Sequence, residues 1–102
     1  LPLIHSKPTL GYCFEADGQR IAYLTDTRGL PPRSLEFLCR WRPQQMIIDT
    51  RNPPTGPTTG HHNDLDDTLA LHRQIAPGQT WITHLGHEMD GWLLAGGANK
   101  LP

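Results

Sequence analysis

Ile21-Ala22-Tyr23-Leu24-Thr25-Asp26, Gln45-Met46-Ile47-Ile48-Asp49 and Gln79-Thr80-Trp81-Ile82-Thr83-His84 are three short apolar runs, each leading into a side chain able to hold a metal. Each is too short for a helix and reads as a buried strand. If they are neighbours in one mostly parallel sheet, their carboxyl ends share one edge, where open α/β sheets bind ligands. A carboxylate and an imidazole at such an edge suggest a divalent-metal site more readily than core packing.

The intervening segments support that arrangement. Thr9 to Ala16 alternates, with Leu10, Tyr12, Phe14 and Ala16 on one side, and Asp17-Gly18 closes a hairpin onto the strand Arg20 to Thr25. A helix is expected from about Pro32 to Trp41, since Pro is tolerated in a first turn and Leu35, Phe37 and Leu38 give an apolar side. Residues 50–60 hold three prolines and two glycines, which makes them a flexible loop on the active-site side of the sheet. Asn63 or Asp64 then caps a second helix, with Asp66 and Asp67 in its positive first turn. Leu65, Leu69, Leu71, His72, Ile75 and Ala76 form its apolar side, until Ala76-Pro77-Gly78 stops it. Glu88 to Ala95 is expected as a short third helix carrying Trp92, Leu93 and Leu94. The order is a β-hairpin followed by αβαβα, an α/β pattern within one domain spanning residues 1–102. A short echo links two strand exits: Asp26-Thr27-Arg28-Gly29-Leu30-Pro31-Pro32 resembles Asp49-Thr50-Arg51-Asn52-Pro53-Pro54.

Nine Lys+Arg against ten Asp+Glu leave the chain near neutrality, so no general affinity for nucleic acid or membranes follows. Arg28, Arg33, Arg40, Arg42 and Arg51 cluster, either as a solvated helix face or as an attraction for a phosphorylated substrate. Cys13 and Cys39 lack metal spacing and read as reduced thiols, so a reducing, cytoplasmic setting is expected. No segment is long or apolar enough to span a membrane.

Six histidines are many for 102 residues. His61-His62 precede a helix start whose free N–H groups and positive dipole end favour an anion. A histidine there could bind phosphate or protonate a leaving oxygen, or be an exposed loop residue. His84 and His87 lie three apart after a strand, a spacing that by itself suggests one shared metal, or one structural and one surface histidine. His72 lies among apolar positions and reads as a core histidine. Ser6 and Ser34 lack a nucleophile-elbow context, which argues against serine hydrolysis.

Together, His5-Ser6-Lys7, Gly11-Tyr12, Leu24-Thr25-Asp26-Thr27 with Gly29-Leu30-Pro31, Asp49, Pro53-Pro54, His62-Asn63-Asp64-Leu65, Leu69-Ala70-Leu71 and Thr83-His84-Leu85-Gly86-His87 resemble the C-terminal half of a metallo-β-lactamase-superfamily protein. The nearest branch is the PhnP-like phosphodiesterases of the carbon–phosphorus lyase pathway. The resemblance implies half of an αββα sandwich. It also implies two divalent metal ions, zinc or manganese, in the intact enzyme: His5 on one, Asp26 bridging both, and His84 on the second. His62 would contact the phosphate and assist the leaving group. His87 would join a separate structural zinc site. The implied substrate is a small phosphorylated sugar, a cyclic phosphate ester of phosphorylated ribose in phosphonate metabolism.

The family's HxHxDH motif and its structural-zinc cysteines are absent from this sequence, so His5, Asp26 and His84 make an incomplete ligand set. The expectation is therefore a C-terminal fragment, inactive alone, whose sheet exposes a face meant for a missing N-terminal half. The rival expectation is a non-catalytic module that holds one metal or none and forms a homodimer through that face.

Overall fold

A computed structural model describes residues 2–3, 9–25, 27–54 and 63–101. Its main feature is a four-stranded sheet, β3(Tyr12–Ala16), β4(Gln19–Leu24), β5(Gln45–Asp49) and β6(Gln79–Thr83), in spatial order β3-β4-β5-β6. β3 and β4 are antiparallel across the Asp17-Gly18 turn, where both residues take positive φ. β4, β5 and β6 are parallel, with Leu24 opposite Ile48 and Asp49 opposite Thr83. Two crossover segments containing α1(Pro32–Trp41) and α2(Leu65–Ile75) make that parallel order possible. The expected α/β half-sandwich is the observed architecture.

The expected single strand from Thr9 to Ala16 is instead interrupted at Gly11. β2(Thr9–Leu10) leaves the main sheet and pairs antiparallel with β1(Pro2–Leu3). Gly11 itself sits in close approach: a Cβ there would stand 2.9 Å from Leu24 Cδ2 and 3.2 Å from Leu3 Cδ2. A side chain there would push the strand off the core.

One face of the sheet carries the core. Ala22, Leu24, Met46 and Ile48 pack with Leu38 of α1, Leu71 and Ile75 of α2, and Leu3, with Cys13 and Cys39 against the cluster. Both cysteines are free thiols. Burial pushes the Cys13 thiol above its ordinary pKa. Two parts of the predicted apolar sides turn outward. Phe37 is exposed and stacks on Trp41, one helical turn away, at 5.7 Å between ring centroids. Ala76 is the exposed left-handed C-cap of α2.

The other sheet face is open. Register places Tyr12, Tyr23, Ile47 and Trp81 in one row across the four strands. Tyr12 is 56%, Phe14 54% and Trp81 50% exposed. Sheets with parallel strands are normally covered on both faces, so this is the expected uncovered side. The alternating side of β3, with Tyr12, Phe14 and Ala16, belongs to it, while Cys13 meets the helices.

After β6, α3(His87–Leu94) and a short 3-10 turn Gly97–Lys100 complete the described chain. Met89 is the buried residue of α3, and Gly97 lies so close to the Trp92 ring that a Cβ would overlap it. Among the described residues, no helix is long and apolar enough to cross a membrane.

Candidate functional site at the carboxyl edge of the sheet

Parallel register brings the ends of β4, β5 and β6 side by side. The chain beyond Leu24, Asp49 and Thr83 therefore forms one rim. His84 follows directly after β6, and its backbone adopts φ 58°. A left-handed residue other than Gly, Asn or Asp carries a cost of about 1 kcal/mol, and such residues concentrate where a side chain must be aimed. His84 and His87 are both exposed, but their backbones differ: His84 lies in the turn, while His87 opens α3 behind the Gly86 N-cap. His5, Asp26, His61 and His62 lie outside the described residues, as do residues 55–60.

What the described residues show in detail is the frame around those positions. Asp49 is fully buried, and its Oδ2 accepts a hydrogen bond from the Thr27 amide at 3.1 Å. Asn63, also fully buried, reaches two rim segments with one carboxamide. Its Oδ1 accepts from Gly29 N–H at 2.6 Å, and its Nδ2 donates to the Asp49 carbonyl at 2.8 Å. The Asn63 carbonyl accepts from the amides of Arg51 at 3.0 Å and Asn52 at 3.3 Å. Thr50 N–H donates to the Thr83 carbonyl, and Gly86 N–H donates to the Arg51 carbonyl, both at 3.0 Å. Beneath the rim, the Thr50 and Thr68 hydroxyls meet at 2.6 Å, both buried.

The echo between the strand exits has a structural meaning here. The two exits lie side by side: Asp49 of one holds the Thr27 amide of the other, and Asn63 bonds to both, at Gly29 N–H and at the Asp49 carbonyl. Sequence reasoning missed Asn63 as a tie, along with Thr27, Thr50 and Thr68 as buried polar groups. The available signal was the paired Asp-Thr at two strand exits.

The α2 start differs from the expectation of free N–H groups awaiting an anion. Asp64 is the N-cap, in a reciprocal capping box with Asp67: Asp67 N–H donates to Asp64 Oδ1 at 2.8 Å, and Asp64 N–H to Asp67 Oδ2 at 3.1 Å. Leu65 N–H donates to the Asn52 carbonyl at 3.0 Å. These amides are engaged within the protein, and the Asp64, Asp66 and Asp67 carboxyl groups put negative charge at this helix end. Burial raises the Asp64 pKa, opposed by the hydrogen bond from Asp67 and reinforced by the Asp67 and Asp66 charges. Arg28, from the loop after β4, approaches Asp67 at 3.9 Å.

His72 is half-buried rather than enclosed in the core. Its Nδ1 meets Thr80 Oγ1 at 2.6 Å, and with Leu65, Leu69 and Ile82 it lines a cavity of about 350 Å³ between α2 and β6.

The donor types on this rim suit a divalent cation, but their number does not complete a site. Among the described residues, no group of three or more His, Cys, Asp and Glu side chains could hold a metal ion.

The fold and rim define the class. Residues 2–85 match the beta-lactamase superfamily domain, and the chain belongs to that superfamily. It is also similar to the crystal structure of a diphosphatase from the PhnP family, with a TM-score of 0.78 and 25% sequence identity. That likeness covers 99% of this chain but only 36% of the diphosphatase, so the chain spans about a third of that protein's length. No curated protein matches it. Membership supports a hydrolase-type function, in a superfamily whose members usually bind divalent metals.

Proposed function

We propose that this chain is the C-terminal half of a dinuclear-metal phosphodiesterase of the PhnP type, which hydrolyses a small cyclic phosphate ester of a phosphorylated sugar. One observation carries the reading. Three parallel strands end at one rim, with Leu24 opposite Ile48 and Asp49 opposite Thr83, so that the residues leading to Asp26 and to His84 leave the same sheet edge on either side of β5. Asp26 would bridge two metal ions, with His5 on one and His84 on the other. His87 would serve a separate structural zinc. Zinc or manganese held there would polarise the phosphoryl oxygens and activate water. His62 would donate the proton that a departing ribose oxygen needs near neutral pH. The remaining ligands would come from the missing N-terminal half, which would cover the open face bearing Tyr12, Phe14 and Trp81.

Two other readings have specific support. The PhnP-family neighbour is a diphosphatase, which favours a phosphoanhydride over a cyclic ester as substrate. The open apolar face favours a non-catalytic homodimer. One experiment separates all three. Metal content and hydrolysis are measured for the full-length protein with a five-membered cyclic phosphodiester, a nucleoside diphosphate ester and inorganic phosphate monoesters. About two metal ions at the dinuclear site, in addition to any structural zinc, are expected. So is a preference for the cyclic diester that chelation and Asp26→Ala abolish. Preference for the phosphoanhydride would replace the substrate. A metal-free, inactive dimer would remove the enzyme reading.

A further inference from the structure

Among the described residues, β6 is an outer strand of the sheet, and its Thr80 and Ile82 lie opposite Met46 and Ile48 in register. Met46 and Ile48 are fully buried, whereas Thr80 and Ile82 are only half-buried, because an outer strand has a neighbour on one side alone. The α2 residues beside them behave likewise. Leu65, Leu69 and His72 recur at i, i+4 and i+7, one stripe of the helix, and Leu69 and His72 are half-buried. Between this stripe and the strand lies the cavity of about 350 Å³, which Leu101 also borders. It is a margin of the core that none of the described residues fills.

The lining has the make-up of a small-molecule site, with aliphatic walls and few convergent polar groups. Leu65, Leu69, Ile82 and Leu101 supply the walls, and no Asp, Glu, Lys or Arg contributes. A Leu would have served the apolar stripe of α2 as well as His72 does. The His72 Nδ1 instead meets the Thr80 hydroxyl at 2.6 Å, which fixes the ring and leaves Nε2 for a further partner. We propose that this cavity binds an uncharged two-ring molecule carrying one hydroxyl group, recognised by His72 Nε2. The site is independent of the hydrolase reading above. Volume sets the number of rings: an apolar cavity of about 150 Å³ holds benzene, so this one accommodates about two fused rings. The ring nitrogens set the polar group. If Thr80 donates to Nδ1, Nε2 carries the proton and needs an acceptor; if Nδ1 donates, Nε2 needs a donor. A hydroxyl serves in either case. An ionised carboxylate or ammonium would lose its hydration with no Asp, Glu, Lys or Arg in the lining to replace it.

The probe is 2-naphthol, two fused rings and one hydroxyl. It is titrated into the isotopically labelled protein at its natural length, and backbone amide shifts are followed by NMR. Saturable shifts are expected on α2, on β6 and at Leu101, and not on the outer side of α1. His72→Leu keeps an apolar side chain and deletes the hydrogen bond, so it should weaken binding about fivefold. 2-Naphthoate, the same rings with a charge, should bind about tenfold more weakly than 2-naphthol. Leu69→Trp, whose indole would occupy the cavity, should abolish the shifts. If Leu69→Trp does not fold, Leu69→Phe takes its place, with a partial loss expected. The wild-type titration requires no variant to fold. Shifts that are absent or centred elsewhere overturn the proposal, as do unchanged affinity in His72→Leu and equal binding of 2-naphthoate.

Discussion

The Thr50–Thr68 pair offers a sharp test of how the rim is anchored to the helix below it. The two hydroxyls lie 2.6 Å apart, with Thr50 0% and Thr68 1% exposed, and they link the exit of β5 to the first turns of α2. Replacing either by Val keeps the side-chain shape but deletes one partner. The lost bond contributes about 1 kcal/mol net, and the stranded hydroxyl adds a desolvation penalty, for a total of about 1–3 kcal/mol. Replacing both removes the two polar groups together, so the double variant should be closer to wild type than either single one. The coupling free energy should then exceed the loss of either single variant, upward of about 1 kcal/mol, as expected for residues in direct contact. For a domain near 100 residues, a loss of 2 kcal/mol lowers Tm by about 8–16 °C. Urea unfolding followed by circular dichroism, with slopes shared among variants, measures all four proteins. If the double variant costs the sum of the two single ones, or if both single ones are neutral, the hydroxyl pair does not anchor the rim.

Other consequences can be measured alongside. The Asp64 pKa lies above its ordinary value in the folded state, so the native protein takes up this proton before the unfolded chain as pH falls. Ionised Asp64 thus weighs against folding above its folded pKa, and the penalty fades as pH drops through that value. Asp64→Asn keeps a cap acceptor, so its stability relative to wild type should be better at neutral than at acid pH, a difference that thermal melts across that range would reveal. Gly78→Ala should destabilise by about 1–3 kcal/mol in a denaturant titration, because its Cβ would stand 2.8 Å from the Gln44 carbonyl oxygen. Trp81 is half exposed in this chain. If the proposed N-terminal half covers it, roughly 100 Å² more becomes buried, and Trp81→Ala should cost about 2.5 kcal/mol more in a protein carrying that half than in this chain by itself. Equal losses in both would mean the face stays open.

Local pattern was enough for the elements that local physics decides. α1 spans Pro32–Trp41 and β6 spans Gln79–Thr83, because a proline start, periodic apolar residues and a Pro-Gly stop act within a few residues. Parallel order also followed from strands too far apart in sequence to be joined by hairpins. Gly11 shows the opposite case. The need for glycine there depends on the Leu24 and Leu3 side chains, which only the folded chain brings to it.

The candidate site divides in the same way. Position at strand ends singled out Asp26 and His84, and the resemblance to the metallo-β-lactamase superfamily added His5, His62 and His87. The sequence also shows that these 102 residues contain no HxHxDH motif. Tertiary structure decided what the neighbouring polar residues do. Asp49 reads from sequence as a loop-anchoring residue at a strand exit, and inside the fold its Oδ2 takes the Thr27 amide. Asn63 looked like a helix cap, yet it ties two exits that lie 34 and 14 residues away. Hydrogen-bond partners at such separations depend on sheet register, and register is a property of the packed core rather than of any local stretch.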